Sequence, residues 1–84
     1  LGFDWPALDA EREATHGNFT DMALVATACR DALHWSPRYV CMSSAQKVAV
    51  DEIVLKLARI VCGDPSFPGH WDDVIGYAVK GRCG

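Results

Sequence analysis

One stretch constrains this chain more than any other: Ser43 to Gly63, SSAQKVAVDEIVLKLARIVCG, where the pattern, the start signal and the stop signal for a helix agree. Ser43 stands as N-cap, Gln46 three residues later is its capping-box partner, and Gly63 follows the last apolar position as a stop. The spacing predicts a helix of about five turns. Val50, Ile53, Val54, Leu57, Ile60 and Val61 recur on it as one apolar face, expected to build the fold. Glu52, Lys56 and Arg59, at i, i+4 and i+7, form a stripe expected on the opposite side, where they are either a solvated face or the place to look for function.

A chain of 84 residues makes one domain and buries only about 60 to 65% of the surface its unfolded form exposes. With half of its residues apolar, partner surface or further chain is expected to complete the core, which points to a homo-oligomer. The formal net charge of -3 and the lack of any Lys/Arg run argue against direct DNA binding. The most apolar run is broken by Asp51, Glu52, Lys56 and Arg59, so no membrane span is expected. Leu1 in place of Met, with no basic-then-apolar leader, reads as a processed, trimmed or internal start. The four cysteines permit two disulfides but are read as free thiols, Cys29 and Cys62 as small core residues, and no CxxC pair suggests structural zinc.

Pro6 fits the first turn of a helix running to about Thr15 and stopped by Gly17, with Leu8 and Ala14 opposite the polar Glu11, Arg12, Glu13 and His16. Asn18 or Thr20 caps a second helix to about Leu33 or Trp35, whose apolar surface is Phe19, Met22, Ala23, Val25, Ala26 and Cys29. Arg30, Asp31 and His34 near its end read as incidental. Pro37 interrupts helix, leaving Tyr39 and Val40 in a loop over the core or a short strand. GDPSFPGH is a turn-rich connector, after which Trp71, Val74, Ile75, Ala78 and Val79 give a last helix its apolar side. Asp72 and Asp73 are then in its first turn, and Gly76 suggests close packing of another backbone. The expected fold is all-α: a small bundle of about four helices completed by oligomerisation.

Carboxylates are the main candidates for chemistry. Glu11 and Glu13, Glu52, and Asp72 or Asp73 would converge if these helices pack as a bundle, and carboxylates with water are what Mg²⁺ prefers. Lys56 and Arg59 would then meet phosphate oxygens. His16 suits the end of its helix by dipole or packing, and His70 is placed to cap the last helix or to meet Asp73. Asp73 and Tyr77 share a helix face. No HExxH, serine elbow or GxxxxGK loop is present.

Glu11, Arg12, His16, Gly17 and Phe19, then Lys56, Ala58, Arg59, Ile60 and Gly63, then His70, Trp71, Asp73, Gly76, Tyr77 and Ala78, together resemble a small uncharacterised domain family of phages and prophages. That family reads ER…HG.F, K.aRi..G and hW.DiaGYa, and is distantly similar to all-α nucleotide pyrophosphohydrolases of the MazG type. The resemblance implies a cytoplasmic oligomer, in the host cell if phage-encoded, that hydrolyses a nucleoside triphosphate between its α and β phosphates. In that reading Glu13, Glu52 and Asp73 hold Mg²⁺ and are catalytic, and Arg12, His16, Lys56, Arg59 and Tyr77 bind substrate. The paired ExxE and ExxD motifs of MazG-type enzymes are absent: Glu11 and Glu13 have the wrong spacing. The alternatives are a nucleotide-binding regulator without turnover, and a non-enzymatic module that binds a host or phage protein through an apolar helix face.

Overall fold

Residues 14 and 16–84 are described by the computed structural model. They form three α-helices, with no strand among the described residues. The expected helix from Pro6, with Glu11, Arg12 and Glu13, lies outside them; Ala14 and His16 are helical.

Helix α1 (Phe19–His34) begins where Asn18 Oδ1 accepts the N–H groups of Thr20 and Asp21, two donors that would otherwise be unsatisfied. It ends before Pro37, and the connector winds into a 3₁₀ turn at Tyr39–Cys41 instead of a strand. Helix α2 (Ser44–Cys62) carries the foreseen capping box: Gln46 N–H donates to Ser43 Oγ and Ser43 N–H to Gln46 Oε1, both at 3.0 Å. Gly63 closes it, donating to the Arg59 carbonyl. Helix α3 (Pro68–Cys83) starts before the expected Trp71, because Pro68 at the first helical position has a backbone preset for helix and no N–H to leave unpaired. Asp72 and Asp73 are consequently beyond its first turn.

Helix α2 is the central element. On one side Met22 and Ala26 of α1 pack against Ala58, with Leu55 and Cys62 beside them. On the other side α3 runs antiparallel to α2. A Cβ placed on Gly81 would stand 3.0 Å from Ala49 Cβ and one on Gly84 2.6 Å from Ala45 Cβ, so the two helices approach closely at that end. Among the described residues the buried apolar set is Met22, Ala26, Ala49, Val54, Ala58 and Ile60. Half of these are alanine, so helices meet backbone to backbone around a small core.

That arrangement rotates the buried face away from the expected one. Val54 and Ile60 are buried, but Leu57 and Val61 are exposed, and Val50 and Ile53 only half-buried. Alanines 49 and 58 take their place because two helices, not one, press on α2. Glu52, Lys56 and Arg59 are accordingly half-buried instead of solvated. Cys29, Phe19 and Val25 are exposed rather than core, and all four cysteines are free thiols. Gly76 has no atom from another element within 4 Å of where a Cβ would lie, so close packing among the described residues does not explain it. No helix among the described residues is long and apolar enough to cross a membrane.

Candidate functional site

The α2–α3 register assembles most of the sequence candidates into one polar seam. Lys56 Nζ lies 3.1 Å from Asp73 Oδ2, Ala49 faces Gly81, and Ala45 faces Gly84. Each turn up one helix therefore matches a turn down the other, which sets Glu52 level with Tyr77 and Arg59 level with His70. Lys56 is largely enclosed, its side chain 18% exposed, whereas Asp73 is half exposed at 49%.

At the Arg59 end, His16 Nδ1 and His70 Nε2 are 2.9 Å apart, so one ring nitrogen donates and the other accepts. His70 is buried, 2% exposed, in the first turn of α3, where it pairs with His16 rather than capping the helix. The Phe67 ring packs against both imidazoles, with centroids 6.1 Å from His16 and 4.9 Å from His70. Gly17 makes this meeting possible. Its φ of +82° turns the chain, and an added Cβ would overlap the Cys62 carbonyl, so only glycine brings His16 this close to the end of α2.

Two charges on the seam are left over. Arg59 is half-buried and its Nε is enclosed with no hydrogen-bond partner among the described residues. Glu52, also half-buried, forms no ion pair among the described residues. Lys56 and Asp73 between them satisfy each other. Among the described residues no three His, Cys, Asp or Glu side chains are grouped to hold a metal ion, and Glu13 and Arg12 lie outside those residues. Tyr77 lines the other end, its ring 5.1 Å from Lys80 Nζ, in an open groove of about 430 Å³ with Ser44, Ala45, Val48 and Ala49.

A second cluster was not foreseen. Asp51 accepts from His34 Nε2–H at 2.7 Å and from the Tyr39 hydroxyl at 3.3 Å, and Arg30 approaches the same carboxylate at 3.6 Å. His34 also stacks on Tyr39 with centroids 4.0 Å apart. Burial and the neighbouring Asp51 carboxylate, which the hydroxyl also bonds, raise the Tyr39 phenol above its ordinary value. The cluster pins the α1–α2 connector to α2. Its one sequence signal is that Arg30 and His34 share a face of α1, one turn apart.

No protein family, curated protein or solved structure matches the chain.

Proposed function

We propose that the α2–α3 seam binds the phosphate groups of a nucleotide, in keeping with the resemblance to a phage and prophage domain family that is distantly similar to MazG-type pyrophosphohydrolases. The observation that carries this reading is Arg59. Leaving an enclosed guanidinium nitrogen without a partner costs about 1–3 kcal/mol, and an anion admitted as the seam opens beside it would recover that cost. Lys56 one turn away would add a second cation once phosphate replaced Asp73 as its partner, and His16 and His70 lie at the Arg59 end. Glu52 and Asp73, with Glu13, are the carboxylates that would hold Mg²⁺; the Glu52 carboxylate, with no ion pair among the described residues, suits it, whereas Asp73 is shared with Lys56. Bound there, the ion would neutralise and polarise phosphate oxygens. Tyr77, level with Glu52, and Arg12 would complete substrate contact.

The test is to incubate the purified protein with Mg²⁺ and a panel of nucleoside triphosphates, following pyrophosphate release and calorimetric binding together. Glu52→Gln is expected to abolish release while retaining binding, and Arg59→Met to weaken binding by about 10- to 100-fold. The absence of both release and binding at millimolar nucleotide refutes the reading.

A second reading has one observation of its own. Lys56 and Asp73 pair with each other across two packed helices, which gives both an architectural role and favours a non-enzymatic module that binds a host or phage protein.

A further inference from the structure

The inner face of α3 is fixed by His70, by Asp73 on Lys56 and by Gly81 on Ala49. At 100° per residue the opposite face carries Ile75 and Val79, with Trp71 at its margin. These three are 63, 57 and 46% exposed on consecutive turns. Single exposed apolar residues are ordinary, but a stripe running the length of a helix marks an interaction surface. Trp71 is already ordered, its Nε1–H donating to the Pro65 carbonyl at 2.7 Å, so little side-chain freedom remains to be lost on binding.

Charge decides what covers the stripe. The same outward face has Asp72 towards its beginning and Arg82 in its last turn, both exposed. An antiparallel twofold set midway between Ile75 and Val79 lays Ile75 against Val79 of the partner subunit. It also brings Asp72 to Arg82 of the partner subunit, and the symmetry repeats both contacts. We propose that a second copy of this chain docks here, α3 against α3. The pattern is self-complementary, as an isologous interface requires. One helix pair buries less than a standard interface of about 1,600 Å², so dissociation is expected in roughly the micromolar range.

Sedimentation velocity of the full chain from about 1 to 200 µM tests this. The chain should pass from monomer to dimer. Ile75→Glu, at a position exposed in the monomer, should raise the dissociation constant at least about tenfold with helical circular dichroism unchanged. Asp72→Arg and Arg82→Glu should each weaken the dimer, and the double reversal should restore it to within about threefold. A chain monomeric throughout, as expected if a different protein or another segment covers the stripe, overturns the proposal. So does a dimer indifferent to Ile75→Glu, or one that the double reversal fails to restore. None of these variants touches the polar seam, so the outcome is independent of nucleotide binding.

Discussion

Gly17 and Gly76 lie in opposite surroundings, and the same substitution should move stability in opposite directions. At Gly17 a side chain must adopt φ of +82° and displace the Cys62 carbonyl, so Gly17→Ala is expected to cost about 2 kcal/mol or more in urea unfolding. At Gly76 the space is open and the backbone helical, so Gly76→Ala is expected to gain up to about 1 kcal/mol. Tyr39 makes a prediction about pH. Its folded value lies above the ordinary 10.0, so the fold favours the neutral phenol; that stability is complete below about pH 10 and is lost as pH rises through the raised value. Urea midpoints at pH 8 and 10.5 should diverge for the native chain, and Tyr39→Phe should shrink the difference.

The helix α2 was legible almost to the residue because its ends are written locally, in Ser43, Gln46 and Gly63. What sequence did not disclose is which side of it is inside. Period is a property of one helix, but burial is set by its neighbours, and here α1 and α3 press on Ala49 and Ala58 while Leu57 and Val61 face outward. The start of α3 was misplaced for a related reason: Pro68 punctuates a turn-rich stretch and also begins a helix, and only the continuing chain decides between the two. The Lys56–Asp73 pair belongs to this scale. With Asp73 half exposed, solvent screens the attraction, and a double-mutant cycle of Lys56→Met and Asp73→Asn should return a coupling of only about 0.5–1 kcal/mol. A coupling of several kcal/mol would make the pair a principal tie between α2 and α3.

Over the whole molecule the all-α class was readable from period and caps, whereas the Asp51 cluster was not, because His34 and Asp51 meet only through the fold of the connector. The seam was half legible: its residues stood out as charged positions on two helices, but their pairing depends on an antiparallel register that spacing alone does not give. That register leaves Arg59 Nε enclosed without a hydrogen-bond partner among the described residues, a local cost that the whole fold must carry. Function and stability are therefore predicted to separate there. Arg59→Met keeps the volume of the stem and removes the orphaned nitrogen, so the ligand-free protein should melt at the same temperature or higher. The native chain should be stabilised by about 2.7 kcal/mol at nucleotide concentrations 100 times the dissociation constant, roughly 10–20 °C for a domain of this size. In Arg59→Met, with binding weakened about 10- to 100-fold, the rise at the same nucleotide concentration should fall to between about 1.4 and 0.4 kcal/mol. Thermal melts of both proteins with and without magnesium pyrophosphate and nucleoside triphosphates measure the two quantities separately. If Arg59→Met instead lowers the ligand-free melting point and leaves any ligand-dependent rise intact, Arg59 supports packing through its aliphatic stem and the anion must be sought elsewhere.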